Sequence, residues 1–288
     1  MCSTCGCGSD ENVSYHQPSS HKHIHEHTHE NGHSHAHEHS HDHSHEHSHQ
    51  HDHHHDHSHD QSHEHKHEHS HKKTVIDVEK DILFENNMLA QRNRGYFAAK
   101  NMLAINLVSS PGSGKTSLLE KTLIDLKEKL KFYVIEGDQQ TTNDADRIDA
   151  TGTKVLQINT GKGCHLDSHM ILHALETLKP ENDSILFIEN VGNLVCPAMF
   201  DLGEKERVVI ISVTEGDDKP LKYPDMFHSS TLCIINKTDL LPYVPFDIKK
   251  ARENALKINH HLEIIEVSCT KGDGLQEWYD WLNKKVGH

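Results

Sequence analysis

The sequence predicts an α/β fold in which helices cover both faces of a mostly parallel sheet of about seven strands. Two observations support this prediction. From residue 74 onwards, short β-branched runs alternate with amphipathic helical patterns, which is typical of strand–helix–strand units. The same part of the chain, 74–288, is about 215 residues long, which is enough for one domain with a hydrophobic core.

The predicted elements follow one another in regular alternation. A helix is expected first, over 74–100, because apolar residues recur along it. The strands expected after it are the runs 103–108, 132–135, 154–158, 185–188, 208–213, 232–235 and 264–267. The further helices include 116–130, 166–178, 247–258 and 275–285. In such a sheet ligands bind at the carboxyl ends of the strands, so the loops there are the places where a site is expected.

The residues before the domain form two segments of unusual composition. Residues 1–15 contain a cysteine-rich motif, and 16–73 form a tract in which histidine alternates with Ser, Glu, Asp and Gln. Of the 33 histidines in the chain, 26 lie within 16–71. Because almost nothing apolar is available for burial, the tract cannot offset its ordering entropy, and we expect it to be disordered.

Charge and hydropathy exclude several classes of function. With 29 basic and 44 acidic residues the net charge is −15, and no basic face is present that would bind nucleic acid. Neither an apolar run of about 18 residues nor a signal-peptide segment is found, so we expect a cytoplasmic protein that does not enter a membrane. The seven cysteines are odd in number, which in a cytosolic protein favours metal binding for the clustered ones.

A phosphate-binding loop follows the first predicted strand of the domain. It reads Ser-Ser-Pro-Gly-Ser-Gly-Lys-Thr over 109–116, with Ser109 in place of the usual first glycine. Its glycines let backbone N–H groups surround phosphate oxygens, Lys115 reaches the β- and γ-phosphates, and Thr116 offers a hydroxyl to Mg²⁺. We therefore predict a P-loop NTPase. The nucleotide-binding residues expected here are Gly112, Ser113, Gly114, Lys115, Thr116 and Ser117.

The base of the nucleotide is predicted to be guanine. Asn236, Lys237 and Asp239 follow the sixth predicted strand, where a carboxylate can accept hydrogen bonds from guanine N1 and N2 and the Lys237 stem can lie along the base. Ser268 and Cys269, just past the last strand, fit a short loop that contacts the base. A purely structural Cys269 is about as well supported as a functional one.

The loop that senses the γ-phosphate has an unusual sequence. In place of Asp-x-x-Gly the chain has Glu-Asn-Val-Gly over 189–192, so Gly192 can offer its N–H to the γ-phosphate and Glu189 can reach Mg²⁺. Asp138, at the end of a neighbouring strand, is the best second carboxylate, either for Mg²⁺ or for orienting the attacking water. We predict Lys115, Asp138 and Glu189 as the catalytic residues, with Thr116, Asp138 and Glu189 at the magnesium ion.

Three features indicate a transition metal. Cys2, Cys5 and Cys7 can supply thiolates that, with a backbone or terminal amine, suit square-planar Ni(II), although Zn²⁺ would also bind. The histidine tract can act as a metal buffer while its imidazoles are neutral. A third donor set, Cys164, His165 and Cys196, lies on loops beside the nucleotide. His169 and His173 continue from it at helical spacing, and we expect them to be surface or packing residues. Cys233, inside a strand, is expected in the core.

These motifs together resemble the hydrogenase nickel-insertion GTPases of the HypB type. The resemblance extends over nearly the whole chain, from the Cys-x-x-Cys-Gly-Cys start through 106–116, 159–165 and 189–197 to 236–239. It implies a GTPase that delivers nickel to the large subunit of [NiFe] hydrogenase, with a partner nickel chaperone and a homodimer in the GTP state. It also implies a high-affinity nickel site at Cys2, Cys5 and Cys7, and a domain site at the dimer interface formed by Cys164, His165 and Cys196.

Two other functions remain as alternatives. The related urease-activating GTPases carry Cys-Pro-His at their metal position, whereas this chain has Cys-Pro-Ala at 196–198, which counts against that reading. The other alternative is a nickel-storage protein in which the GTPase domain is secondary. The sequence leaves open whether the domain site holds nickel or zinc, and whether the histidine tract stores or delivers metal.

Overall fold

A computed structural model of the chain describes residues 13–18, 25–28, 34–37, 75–139 and 143–287. The strands are β1 (Ser14–His16), β2 (His25–Thr28), β3 (Ser34–His37), β4 (Leu103–Ser109), β5 (Phe132–Asp138), β6 (Lys154–Asn159), β7 (Ile185–Glu189), β8 (Glu206–Ser212), β9 (Leu232–Asn236) and β10 (Glu263–Glu266). The helices are α1 (Val75–Ala99), α2 (Lys115–Leu126), α3 (Asn143–Asp149), α4 (Ser168–Leu178), α5 (Cys196–Met199), α6 (Lys219–Lys222), α7 (Pro224–Ser229), α8 (Ile248–Ile258) and α9 (Leu275–Val286), with a 3₁₀ turn at Thr238–Tyr243.

The main sheet confirms the predicted fold class. Its strand order is β1-β6-β5-β7-β4-β8-β9-β10, and all neighbouring pairs from β6 to β10 are parallel. β4 lies in the middle, and the chain moves first to one side of it and then to the other. This reversal of direction creates a crevice at the carboxyl end of β4, where the predicted phosphate loop begins.

The sheet has an eighth strand that the sequence analysis did not predict. β1 pairs antiparallel with β6, with Ser14 opposite Asn159 and His16 opposite Gln157. Val13 and Tyr15 pack partly buried against the core on the α4 side. Three residues are too few to show strand periodicity. β1 spans the predicted segment boundary between residues 15 and 16.

Each face of the sheet has its own hydrophobic core. Ile105 and Leu107 of β4 belong to a cluster with residues of α2 and α9, whereas Ala104 belongs to a cluster with residues of α1 and α4. A third cluster covers the β8–β9 end with α7 and α8. The short helices α3, α5, α6 and α7 were not predicted, since four to seven residues are too few for a clear helical pattern.

Buried asparagines attach α1 to the start of α4 and to the loop after α5. Asn93 donates to the backbone oxygens of Ser168 and Leu202, and Asn86 accepts a hydrogen bond from the Ser168 backbone N–H. Gly203 has a φ of +88°, and a Cβ there would lie 2.6 Å from the Ala90 carbonyl oxygen, so only glycine fits this approach.

The histidine tract forms a unit separate from the domain. Within it, β2 and β3 pair antiparallel, with His25 opposite His37. The prediction of a wholly disordered tract did not include this pair, and apart from residues 16–18 the remaining tract residues lie outside the described part. No helix among the described residues is long and apolar enough to cross a membrane.

Candidate nucleotide and metal sites

The phosphate loop lies where the sequence analysis expected it, between the end of β4 and the start of α2. Gly112 and Gly114 have φ values of +72° and +91°, which L-residues rarely adopt, and Gly114 also lies directly against the Asn236 side chain. The loop forms one wall of a cleft of about 450 Å³. The other walls come from the end of β5, from α3, from Gly192 in the loop after β7 and from Lys237 after β9. This geometry directs backbone N–H groups and the α2 amino terminus at the cleft.

Lys115 and Thr116 both contact Glu189 at the end of β7. The Lys115 ammonium lies 2.8 Å from Glu189 Oε1, and the Thr116 hydroxyl donates to the same oxygen at 2.6 Å. Glu189 is fully buried, and its second oxygen, Oε2, has no hydrogen-bond partner. The three predicted residues are therefore together, and one carboxylate oxygen remains for another ligand.

The sequence analysis missed a further acidic side chain in this cleft, Glu136 of β5. Glu136 lies opposite Glu189 in the parallel β5–β7 pair and is 2 % exposed. Its Oε2 atom also lacks a partner. Burial, reinforced by the neighbouring Glu189 charge, raises the pKa of Glu136 to about 9, so it is uncharged at neutral pH. A Glu inside an otherwise apolar strand was the signal that could have identified it.

The remaining phosphate-side predictions also lie around the cleft. Asp138 lines it, and its carboxylate accepts a 2.6 Å hydrogen bond from the Gln139 backbone N–H. Ser113 is buried in the loop, and Ser117 accepts a hydrogen bond from Arg147 of α3. Arg147 is a cationic residue on the cleft wall that the sequence analysis did not select.

The predicted base-binding residues meet where β9 and β10 end. Lys237 donates to the Gly112 carbonyl oxygen at 2.6 Å and adopts a φ of +62°, and Asn236 donates to the Ser113 carbonyl oxygen. The Ser268 hydroxyl donates to Asp239 Oδ1 at 2.6 Å, which fixes the direction of that carboxylate. The base loop is thus attached directly to the phosphate loop.

Two further cysteines lie in or near β9, and they differ in burial. Cys269 is half-buried, its thiol lies 3.4 Å from Asn236 Oδ1, and burial raises its pKa to about 11. Cys233 is buried in the core, as predicted, and burial raises its pKa to about 12.

Cys164, His165 and Cys196 come together as a donor cluster. One ligand atom from each lies within 4.8 Å of the others, and the two sulfurs are 2.7 Å apart. The His165 ring is buried and stacks on Phe200 at a centroid distance of 3.9 Å. Burial lowers the pKa of His165, which favours the neutral imidazole that binds metals. Two soft sulfurs and one imidazole suit Zn²⁺ or Ni²⁺.

The loop after β7 connects this cluster to the phosphate loop. A Cβ at Gly192 would lie 3.2 Å from Pro111 Cα, so the two loops are in close contact. One residue further, the Asn193 side chain donates to the Cys164 carbonyl oxygen, and Cys196 itself begins α5. A single short segment therefore contacts the phosphate loop and carries one ligand of the cluster.

Comparisons with known proteins identify the family. A family model described as "CobW/HypB/UreG, nucleotide-binding domain" matches residues 103–266. The hydrogenase maturation factor HypB of Escherichia coli K12 is 57 % identical over 211 residues, which cover 73 % of this chain and 73 % of that protein. This chain belongs to the HypB family of hydrogenase maturation factors. HypB proteins are P-loop nucleotide hydrolases of the CobW/HypB/UreG group, which confirms the predicted resemblance.

Solved HypB structures share the fold. The crystal structure of HypB from Archaeoglobus fulgidus is 42 % identical with a TM-score of 0.66, and the match covers 70 % of this chain and 98 % of that one. The structure of HypB from Helicobacter pylori in complex with nickel is 39 % identical with a TM-score of 0.67, covering 70 % and 95 %. A HypB chain that contains little more than this domain therefore folds on its own.

The amino-terminal metal prediction lies outside the described residues. Cys2, Cys5 and Cys7 precede residue 13, where the description of the chain begins, so their role as a nickel site stays a prediction. The same holds for most of the histidine tract.

Proposed function

We propose that this HypB-family protein is a Mg²⁺-dependent GTPase that binds Ni²⁺ and delivers it during maturation of [NiFe] hydrogenase. The observation that carries the proposal is the segment 189–196. It begins with the carboxylate that the Lys115 and Thr116 side chains contact and ends with a sulfur donor of the metal cluster, so one backbone segment serves both sites.

On the nucleotide side, the residues fit a magnesium–nucleotide complex. Glu136 and Glu189 each have a buried oxygen without a partner, and the Thr116 hydroxyl donates to the other oxygen of Glu189. Hard oxygen donors of this kind are the ligands that Mg²⁺ prefers. When bound, Mg²⁺ supplies positive charge that stabilises the β- and γ-phosphate oxygens.

The protein's own residues then perform three tasks. Lys115 exchanges its contact with Glu189 for the β- and γ-phosphates, where its charge stabilises the transition state. Asp138, on the cleft wall, orients the attacking water or assists at the ion. Gly192 offers its backbone N–H to the γ-phosphate, so its position differs between the GTP and GDP states.

Guanine selectivity is assigned to Asp239. A carboxylate held by the Ser268 hydroxyl keeps one oxygen free for the guanine N1 and N2 donors, which adenine lacks in that arrangement. The stem of Lys237, whose ammonium is held at Gly112, forms one side of the base site. Both contacts connect base recognition to the phosphate loop.

Ni²⁺ is the proposed cargo of the Cys164–His165–Cys196 cluster. The Helicobacter pylori relative, solved in complex with nickel, supports this assignment. Zn²⁺ is the competing ion at the same donors. We further propose that Cys2, Cys5 and Cys7 hold nickel tightly, that the histidine tract buffers it, and that a partner chaperone and the hydrogenase large-subunit precursor exchange it.

A nickel titration in two nucleotide states tests the coupling. A chain of residues 74–288 is loaded with GDP or with a non-hydrolysable GTP analogue, and its nickel and zinc affinities are measured. We expect the two states to differ by about 1–3 kcal/mol, and linkage requires nickel to change GTP affinity by the same factor. Cys196→Ala should remove the difference while metal-free GTP binding is retained. Equal affinities in both states would refute the coupling.

Delivery itself is tested in cells. A strain that lacks the gene should lose hydrogenase activity, and added nickel should restore it at least in part. Urease activity is measured in parallel, because one relative, from Helicobacter hepaticus, is named a hydrogenase/urease maturation factor. Lost urease with intact hydrogenase would favour the urease alternative over the proposed function.

A further inference from the structure

A buried ion pair holds the loop that carries Cys196. Arg207, near the start of β8, lies with its guanidinium 2.7 Å from Glu204 Oε1, and the two side chains are only 8 % and 6 % exposed. The attraction between two buried charges is largely offset by the loss of their hydration, so such a pair contributes little net stability. The pair therefore matters mainly for the groups that it orients.

Arg207 contacts the segment that follows Cys196. Its guanidinium donates to the Ala198 carbonyl oxygen at 3.3 Å and to the Phe200 carbonyl oxygen at 2.9 Å. Cys196 begins α5, to which Ala198 belongs, and the Phe200 ring stacks on His165 at a centroid distance of 3.9 Å. One side chain therefore orients the helix that carries one proposed ligand and the ring that packs against another.

The other loop of the cluster is held by Asn190, two residues before Gly192. The Asn190 side-chain oxygen accepts a hydrogen bond from the backbone N–H of Leu166, which directly follows His165. Its amide nitrogen donates to Asn106 Oδ1 at 3.3 Å. Asn190 is buried, so its contacts are fixed by the surrounding core. The proposed sensor of the γ-phosphate and the loop of Cys164 therefore share this asparagine.

Asn106 joins the contacts of the two loops into one buried network. It lies opposite Arg207 in the parallel β4–β8 pair, is fully buried, and donates to Glu204 Oε1 at 3.1 Å. The same Glu204 oxygen accepts from Arg207, and Oε2 accepts from the Leu202 backbone N–H. Hydrogen bonds therefore run without a break from Asn190 to Arg207.

We propose that Arg207 is a positioning residue of the metal cluster, and that the nucleotide state acts on it through Asn106. The proposal rests on the proposed function. A movement of Gly192 towards a γ-phosphate displaces Asn190, which is two residues away. Close-packed and hydrogen-bonded groups move together, so the displacement reaches the segment that Arg207 holds. This route differs from the backbone between Gly192 and Cys196, because it acts on both loops of the cluster.

Arg207→Lys tests the positioning role in a chain of residues 74–288. Relatives of about this length fold, as the Archaeoglobus structure shows. Lysine keeps a positive charge beside Glu204 but lacks the planar fork that contacts two carbonyl oxygens. Nickel is followed by its sulfur-to-metal charge-transfer absorption, which reports an ion bound to thiolates. Nickel affinity should fall about 10–100-fold, as for other residues that orient metal ligands, while metal-free GTP binding is retained.

A change of geometry is distinguished from a loss of stability by Co²⁺, whose ligand-field bands depend on the arrangement of the donors. These bands should shift in Arg207→Lys, whereas a variant that is only less stable would keep the wild-type spectrum. Unchanged nickel affinity together with an unchanged Co²⁺ spectrum would overturn the positioning role.

Asn106→Leu tests the transmission, because leucine has a similar volume and removes both hydrogen bonds at the middle of the network. Nickel affinity is measured with GDP and with a non-hydrolysable GTP analogue. In the wild type the two affinities should differ about 5–150-fold, and in Asn106→Leu their ratio should approach one. A general loss of stability would lower both affinities and keep the ratio. Asn106→Ala repeats the measurement if leucine prevents folding.

The matched controls are Arg252→Lys and Asn259→Leu. Arg252 pairs with Glu266 at 3.0 Å, and Asn259 donates to backbone oxygens of α7 and of Ser230 just after it. Both variants should keep the wild-type nickel affinity and ratio, and circular dichroism shows that each variant is folded.

The outcomes separate this inference from the proposed function. A coupled wild type with an equally coupled Asn106→Leu variant would overturn the route through the network and leave the proposed function intact. Equal nickel affinities in the two nucleotide states of the wild type would refute the coupling itself, and the transmission with it. The Arg207→Lys measurement would then still decide the positioning role, because it does not depend on the nucleotide.

Discussion

Replacing Glu136 by Gln should stabilise the metal-free protein at neutral pH while weakening the proposed magnesium site. Glu136 is buried with one unpartnered oxygen, and its pKa is raised from the ordinary 4.5 to about 9. Because the folded protein holds this proton more tightly than the unfolded chain, stability is lost as the pH rises from 4.5 towards 9. Glutamine keeps the shape of the side chain and has no proton to lose.

The size of the effect follows from the linkage. Each pH unit within that window costs the wild type up to about 1.4 kcal/mol, so between pH 5 and pH 8 the advantage of Glu136→Gln grows by up to about 4 kcal/mol. For a domain of this size 1 kcal/mol corresponds to about 2–4 °C in Tm. Thermal unfolding without nucleotide or divalent cation should therefore show a difference of several degrees that widens with pH.

Glu189→Gln is the matched control. Glu189 lies opposite Glu136 on the neighbouring strand, but its Oε1 atom accepts hydrogen bonds from Lys115 and Thr116. Removing its charge should destabilise the protein, which is the opposite of the effect expected for Glu136→Gln.

The metal site is tested by Mn²⁺ binding, followed by electron paramagnetic resonance with GDP present. The Mn²⁺ affinity should weaken about tenfold in Glu136→Gln, which corresponds to a loss of about 1.4 kcal/mol of binding free energy. Parallel Tm curves for wild type and Glu136→Gln from pH 5 to 8 would refute the reasoning.

Three further predictions concern the phosphates, the base and the tract. Lys115→Ala should reduce GTP hydrolysis at least about a hundredfold, because it removes charge stabilisation of the transition state, and near wild-type turnover would show that the wrong loop was identified. Asp239→Asn should weaken GTP by about 2–4 kcal/mol and favour xanthosine triphosphate, as competition binding would show; retained GTP preference would contradict the assignment. Deleting 19–73, which spares β1, should lower nickel stoichiometry to a few ions per chain and leave hydrolysis unchanged, whereas a large loss of turnover would mean that the tract contacts the domain.

The sequence predicted the main strands well because most of them are buried runs of apolar residues. β4 and β8, for example, are buried over their whole lengths. β1 could not be predicted in this way, because its three residues become a strand only by pairing with β6. The short α3 and α5 depend in the same way on contacts with the sheet and loops.

The sequence identified those residues of the site that belong to recognisable motifs. Lys115, Thr116 and Glu189 belong to loops with recognisable sequence spacing, and the structure brings them together. Glu136 belongs to no motif. Its importance depends on lying beside Glu189 in the sheet, which requires knowing that β7 inserts between β5 and β4. Strand order is a property of the tertiary fold, so local sequence patterns do not contain it.

The contacts of the loop after β7 explain why the two sites should respond to each other. The Asn190 side-chain oxygen accepts hydrogen bonds from the backbone N–H groups of Leu166 and Val191, so it joins this loop to the one that carries Cys164. Gly192 lies against Pro111 of the phosphate loop and has no space for a Cβ without displacing it. The contacts of Asn190 and Pro111 therefore restrict how Gly192 can move towards a γ-phosphate. The segment between Gly192 and Cys196 must change its conformation to allow such a movement. Since Cys196 is buried, it cannot move independently of its neighbours, and we therefore expect the proposed metal ligands to change their geometry with the nucleotide.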